Sequence, residues 1–221
     1  MGNKYLVLDI GGSSIKYALI QEDSTILEKS SVPTPMDTMD HFVETIGEIY
    51  DQYKDNIAGM AISMPGIIDP QKGYAFTGGA LKYISKMNIV DILKERCPIN
   101  ITIGNDAKCA ANAEIGYGNL QDIQDGAVVI LGTGIGGCLI KDHQVHTGKH
   151  FSAGEFSFVK TNCLDGISWD YAWSTRNGIK GLLERVQESL GTNQEYTGIE
   201  IFDMANEGNE KVIEGISQFC K

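Results

Sequence analysis

Two glycine-rich segments far apart in the chain each lie between two apolar runs: Leu8-Asp9-Ile10-Gly11-Gly12-Ser13-Ser14-Ile15-Lys16 and Ile130-Leu131-Gly132-Thr133-Gly134-Ile135-Gly136-Gly137. A short glycine turn joining two apolar runs is the pattern of a β-hairpin. A fold for this chain must therefore provide two hairpins whose tips are bare backbone. Glycine has no Cβ and tolerates positive φ, so Gly11 and Gly12 leave backbone N–H groups open to a ligand. Successive N–H groups at such a tip make an anion-binding concavity. Two tips facing each other across a cleft would hold the phosphates of a nucleotide.

Strand and helix patterns alternate around these turns. Tyr5–Asp9, Ile15–Ile20 and Ser24–Ser31 read as a meander of three short strands, ended by Val32-Pro33-Thr34-Pro35. Apolar residues recur at helical spacing from Met36 to Tyr53 (Met39, Phe42, Val43, Ile46, Ile49, Tyr50, Tyr53). A buried strand over Ile57–Met64 follows, then turns at Pro65-Gly66 and Gly73. Asn88–Arg96 reads as a short helix, Ile99–Ile103 as a strand and Asp106–Ile115 as an Ala-rich helix. Strands over Gly126–Leu131 and Gly137–Ile140 flank the second turn. Ser168–Leu190 and Ile199–Phe219 read as helical, with a break near Gly191–Gly198. The alternation predicts a layered α/β fold, with a boundary at Gly116-Tyr117-Gly118-Asn119 dividing residues 1–116 from 117–221.

A formal net charge of -11 argues against nucleic acid and anionic membranes as partners, since both require a basic surface. A phosphate site here must use backbone N–H groups, a metal ion and a few lysines. The five cysteines (Cys97, Cys109, Cys138, Cys163 and Cys220) form no CxxC pair. That usage fits a reducing compartment rather than a disulfide framework or a zinc site. The chain opens directly into a strand pattern without a signal peptide, and no apolar stretch reaches membrane-spanning length, so a cytoplasmic protein is expected.

Each motif has an ordinary reading beside a chemical one. Asp9 ends its strand where it would orient Mg²⁺ through water, and Lys16 would offset phosphate charge, with Ser13 and Ser14 adding hydroxyl donors. Taken alone, a plain Gly-Gly hairpin accounts for the same residues. Gly132-x-Gly134-x-x-Gly137 matches the dinucleotide fingerprint literally, but Cys138-Leu139-Ile140 is strand-like where that fingerprint requires a helix. Thr133 adds a hydroxyl to this tip. Asp106 alone reads as a helix cap or first-turn residue. Flanked by the two turns, it reads as a general base accepting a hydroxyl proton. The set points to phosphoryl transfer to a small polar acceptor, where positioning and charge neutralisation dominate.

Five segments together resemble the ROK (repressor, open reading frame, kinase) family of sugar kinases and regulators. They are Asp9–Lys16, Met64-Pro65-Gly66-Ile67-Ile68-Asp69, Asn105-Asp106-Ala107, Ala113-Glu114-Ile115-Gly116 and Leu131–Gly137, and they occur in the family's order. The resemblance implies an actin/hexokinase-like (ribonuclease H-like) two-domain α/β fold that takes ATP and a sugar. It implies Asp106 as the base, Asp9 as the Mg²⁺-placing carboxylate, and Gly11, Gly12, Ser13, Ser14, Lys16, Gly132, Thr133 and Gly134 as the phosphate-binding set. It further implies Gly66, Asn105, Asp106 and Glu155 as sugar-binding positions, with Asp170 in place of a second sugar-binding Glu. The acceptor would be glucose, a β-glucoside or an N-acylhexosamine, phosphorylated at its 6-hydroxyl, and a homodimer is in keeping with the family.

The chain departs from the family pattern in three places. Gly154-Glu155-Phe156-Ser157-Phe158 lacks the histidine of the usual Gly-Glu-x-Gly-His, and only Cys163 stands where the family has a cysteine-rich zinc segment. No structural zinc is therefore expected, and His143, His146 and His150 read as surface residues. Trp169 and Trp173 read as core aromatics before sugar platforms. Finally, the sequence stops before the last glycine-rich turn and final helix of family kinases, which implies an incomplete second domain. A non-catalytic sugar sensor of the same family is the competing reading.

Overall fold

The computed structural model describes residues 2–160 and 172–220 and divides into two compact units. The first comprises Met1–Ile123 and His143–Ser152; the second comprises Gln124–Asp142 and Ala153–Lys221.

The first unit is built on a five-stranded sheet. Strands β1 (Lys4–Ile10), β2 (Ser14–Gln21) and β3 (Ile26–Pro33) form the antiparallel meander read from the sequence, with β3 running two residues later than expected. Helix α1 (Met39–Tyr53) carries the chain to β4 (Gly59–Met64), which pairs parallel to β1. A small antiparallel sheet follows: β5 (Ile68–Asp69), β6 (Tyr74–Thr77) and β7 (Ser85–Asn88). Helix α2 (Ile89–Arg96) then leads to β8 (Ile101–Asn105), parallel to β4, and α3 (Asp106–Tyr117) leaves it. The large sheet reads β3-β2-β1-β4-β8.

Alternation along β1 puts Leu6, Leu8 and Ile10 on one face, and Ile15, Tyr17 and Leu19 of β2 join them. Phe42, Ile46 and Ile49 lie at helical spacing on α1 and close this core, each 2% exposed or less. Burying such a side chain contributes roughly 1.5–3 kcal/mol, so this layer anchors the sheet. Thr38 caps α1 by accepting from the His41 N–H, which starts the helix at Met39 rather than Met36.

The second unit begins with a hairpin, β9 (Gly126–Leu131) and β10 (Ile135–Lys141). Its helices are α4 (Trp173–Asn177), α5 (Ile179–Leu190), α6 (Gly198–Asn206) and α7 (Glu210–Phe219). The break near Gly191–Gly198 is present: Gly191 ends α5 at φ 67°, and Thr197 with Glu200 forms a capping box on α6. The stretch Ile199–Phe219, read as helical, holds two helices. Gly208 takes φ 89° and the Asn209 side chain caps α7, and together they interrupt the pattern. Leu182, Val186, Ile201 and Val212 form this unit's helical core.

Candidate active site

In the first unit, the carboxyl ends of the parallel strands collect polar side chains into a row. Strand register sets Lys16 opposite Asp9, Asp9 beside Ser63, and Ser63 beside Gly104. The Ser63 hydroxyl donates to Asp9 Oδ1 at 3.1 Å. Ligands of open α/β sheets bind outside the carboxyl ends of such strands. A cavity of about 650 Å³ adjoins the row, lined in part by Ser63, Asn105, Lys108 and Cys109.

Asn105 closes β8 and caps α3: its Oδ1 accepts from the Lys108 N–H at 3.1 Å. The cap is therefore Asn105, and Asp106 is the first helical residue. The buried Asn105 Nδ2 donates to Gly66 O at 3.0 Å and to Asp106 Oδ1 at 2.9 Å. Asp106 Oδ1 also accepts from the Ala107 N–H at 2.8 Å. Two donors thus orient the Asp106 carboxylate through one oxygen.

Asp106 is exposed as a residue, yet protein crowds one side of its carboxyl. The lost hydration, reinforced by the nearby Asp9 carboxylate, outweighs the Ala107 N–H and Lys108 and moves its pKa above the ordinary aspartate value. A carboxylate held in place with a raised pKa suits proton acceptance.

The first hairpin tip, Gly11 to Ser13, is tied down by Thr34, a buried residue that the sequence did not single out. Its hydroxyl donates to Gly11 O at 2.7 Å and its N–H to Ser13 O at 3.1 Å. The Gly11 N–H turns inward to Ser14 O at 3.0 Å. Gly12 and Ser13 keep N–H groups with no hydrogen bond among the described residues, and these are the donors the tip offers an anion. Neither Gly11 nor Gly12 lies in the left-handed region. The missing Cβ, rather than positive φ, is what glycine contributes at this tip.

Positive φ is required instead at Gly66, at 109°, where a Cβ would run into the Thr77 carbonyl oxygen. Only glycine lets this turn pass β6 and present its carbonyl to Asn105.

In the second unit the Gly132–Gly134 turn joins β9 to β10. The Gly132 N–H bonds to Gly134 O at 2.9 Å, and Gly132 O accepts the first N–H of α5, from Ile179, at 2.9 Å. Thr133 and Gly134 keep N–H groups without a hydrogen bond among the described residues. Ser174 supports the turn, its Oγ accepting from the Ile135 N–H at 3.1 Å. Gly154, at φ 76°, passes against the Cys138 backbone and sets Glu155 beside β10, where the Ser157 hydroxyl approaches Glu155 Oε2 at 3.5 Å. Asp170, Trp169 and Cys163 lie outside the described residues. Trp173 is half-buried and packs on Phe156 with ring centroids 6.5 Å apart.

Several participants were not singled out from the sequence: Ser63, Thr34, Ser174 and Lys108, whose Nζ donates to the Phe151 carbonyl at 2.8 Å. Each acts through a contact with a residue distant in the chain. Lys108 had one local signal, a lysine two residues after the candidate base.

The ROK family model matches residues 5–221. Over 208 residues the chain is 28% identical to a β-glucoside kinase of Klebsiella pneumoniae, covering 93% of this chain and 70% of the relative. It is 27% identical over 232 residues to an N-acetyl-D-glucosamine kinase of Haemophilus influenzae, covering 98% of this chain and 76% of that one. Of a Listeria monocytogenes β-glucoside kinase, 29% identical over 156 residues, it spans 53%, matching 71% of itself. The crystal structure of a ROK family protein from Streptococcus pneumoniae in complex with sucrose superposes with a TM-score of 0.77 at 26% identity (98% of this chain, 72% of that one). A Streptomyces griseus ROK glucokinase in complex with glucose and AMPPNP gives 0.84 at 20% identity (98% and 76%). These neighbours share the actin/hexokinase-like fold that the sequence motifs imply.

Proposed function

From the premise that this chain belongs to the ROK family, we propose that it transfers the γ-phosphoryl group of ATP to the 6-hydroxyl of a hexose or hexose derivative. Asp106 is the general base of this reading. The observation that carries it is the Asp106 carboxylate itself, fixed through Oδ1 by Asn105 and Ala107 and raised in pKa beside Asp9.

In the reaction, the sugar hydroxyl gives its proton to Asp106 while its oxygen bonds to the γ-phosphorus. The bond to the bridging oxygen breaks and ADP leaves. Gly66 and Asn105 hold the sugar on one side, and Glu155 and Asp170 contribute further hydroxyl contacts. The N–H groups of Gly12, Ser13, Thr133 and Gly134, with the Ser14 hydroxyl and Lys16, bind phosphate oxygens. Asp9 suits a Mg²⁺ site, since it is an exposed carboxylate that accepts one hydroxyl and faces Lys16 across the hairpin. When bound, Mg²⁺ neutralises charge on the transferring phosphates. Glucose, β-glucosides and N-acylhexosamines are the acceptors to compare, since relatives are named for β-glucoside and N-acetylglucosamine phosphorylation.

The test is ADP release with Mg-ATP and each sugar, paired with calorimetric sugar binding. Turnover by the parent chain, lost in Asp106→Asn with sugar binding retained, supports the kinase reading. Sugar binding without ADP release in the parent favours a sensor.

A further inference from the structure

The segment Val32-Pro33-Thr34-Pro35 sets one threonine between two prolines. Neither proline has an N–H, so Thr34 supplies the one backbone donor of residues 33–35. A residue before proline is also held to extended backbone, which limits the directions that donor can take. In the folded chain both Thr34 donors go to the first hairpin tip: Oγ1 to Gly11 O at 2.7 Å and the N–H to Ser13 O at 3.1 Å. Thr34 is 7% exposed, so water competes little for either bond.

Holding a carbonyl also aims the amide that follows it. No cis peptide occurs among the described residues. In a trans peptide unit the N–H points opposite to the C=O of the preceding residue. The Thr34 hydroxyl on Gly11 O therefore turns the Gly12 N–H to the far side of the tip, away from Thr34. That N–H has no hydrogen bond among the described residues.

Thr34 is held in turn. The buried Pro35 accepts at its carbonyl oxygen from the Tyr83 hydroxyl at 2.7 Å. The Tyr83 ring packs on Phe42 of the α1 core with centroids 6.0 Å apart. Burial, reinforced by the Asp37 carboxylate, pushes the Tyr83 hydroxyl up to about 12, so it stays a donor through the neutral range. A line of contacts thus runs from the core through Tyr83, Pro35 and Thr34 to the tip.

We propose that Thr34 is a positioning residue for the phosphate donor: it aims the Gly12 N–H at a phosphate oxygen, and Tyr83 steadies it through Pro35. This rests on the reading of Gly11 to Ser13 as a phosphate tip and adds to it the residue that orients the tip from outside the motif. Without the hydroxyl, the peptide unit between Gly11 and Gly12 turns more freely, because glycine on both sides restrains it little. The N–H then faces the anion for only part of the time, and affinity falls by that fraction.

The test measures dissociation constants of the 221-residue chain for tripolyphosphate by calorimetry, with glucose as the control ligand. Thr34→Val keeps the branched shape and the backbone N–H and removes only the hydroxyl. It should weaken tripolyphosphate about tenfold and leave glucose within about twofold. Thr34→Ser restores the donor and should stay within about threefold of the parent for both ligands. Tyr83→Phe keeps the ring and frees Pro35, and should weaken tripolyphosphate about threefold; no change there overturns the part assigned to Tyr83. In the parent, the Gly12 amide resonance should shift as tripolyphosphate is added, a measurement that needs no variant to fold. An unchanged tripolyphosphate constant in folded Thr34→Val, an equal loss of both ligands, or a Gly12 amide that stays in place overturns the positioning role, while tripolyphosphate binding by the parent still supports a phosphate site. Failure of the parent to bind tripolyphosphate overturns the phosphate tip and the positioning role together.

Discussion

The Asn105 amide nitrogen lies 2.9 Å from Asp106 Oδ1 and 3.0 Å from the Gly66 carbonyl oxygen, so one buried side chain joins the candidate base to the Gly66 turn. The other end of the same amide caps α3. Asn105 therefore serves helix, turn and base together.

Replacing it should be costly. Asn105→Ala removes the cap and leaves the Gly66 carbonyl and the Lys108 N–H without their partner. A lost cap costs about 1 kcal/mol and each buried group left unpaired about 1–3 kcal/mol, so a destabilisation of roughly 2–4 kcal/mol is expected in urea unfolding. A loss under half a kilocalorie would show that solvent replaces these bonds.

Gly66→Ala should be at least as damaging. The φ of 109° is strained for any side chain, and the new Cβ meets the Thr77 carbonyl. The turn must move away from β6, so hexose affinity should drop at least tenfold along with a stability loss of about 2 kcal/mol or more. Calorimetry and thermal melting report the two effects separately.

Asp106 carries a pH signature. Its folded pKa lies above the unfolded value, so the native state binds more protons in that interval and loses stability relative to the unfolded chain as pH rises through it. Asp106→Asn removes this term. The variant should gain on the parent between about pH 4, the ordinary aspartate range, and pH 7. Urea midpoints compared at the two pH values read the difference, and a variant that falls further behind at pH 7 reverses the sign of the argument. Activity of the parent should have an acid limb above the ordinary aspartate pKa, because the base works only when deprotonated.

Lys108→Ala should loosen the segment His143–Ser152. The Phe151 carbonyl loses its donor and the buried space of the lysine stem is left open. A stability cost of about 2 kcal/mol is expected. Hydrogen exchange should rise in residues 143–152 well beyond any change in α1; a uniform rise across both would mean that the lysine stabilises the unit without anchoring this segment.

The elements were legible where local pattern controls them. The hairpins around Gly11 and Gly132, the α1 stripe and the α5–α6 break appear in the sequence because alternation, helical spacing and capping residues act over a few positions. The ends were less legible. Ile99–Ile103 was read as the strand that the structure sets at Ile101–Asn105, because pairing with β4 carries it through to Asn105. The motif residues named the family, and their spacing to strand ends marked Asp9 and Asp106 as candidates.

What the sequence determined by itself was the kind of chemistry available: carboxylates at strand ends, glycine tips and a net-acidic chain. What the tertiary structure decided was which groups meet within each unit. Strand register, a non-local choice, aligned Lys16, Asp9 and Ser63. Close passage of Gly66 past Thr77, rather than turn composition, determined where a left-handed glycine is indispensable. Thr34 has no local signature and Lys108 only its nearness to Asp106, because each donates to a backbone carbonyl far away in the chain, and only packing brings donor and acceptor within a hydrogen bond of one another.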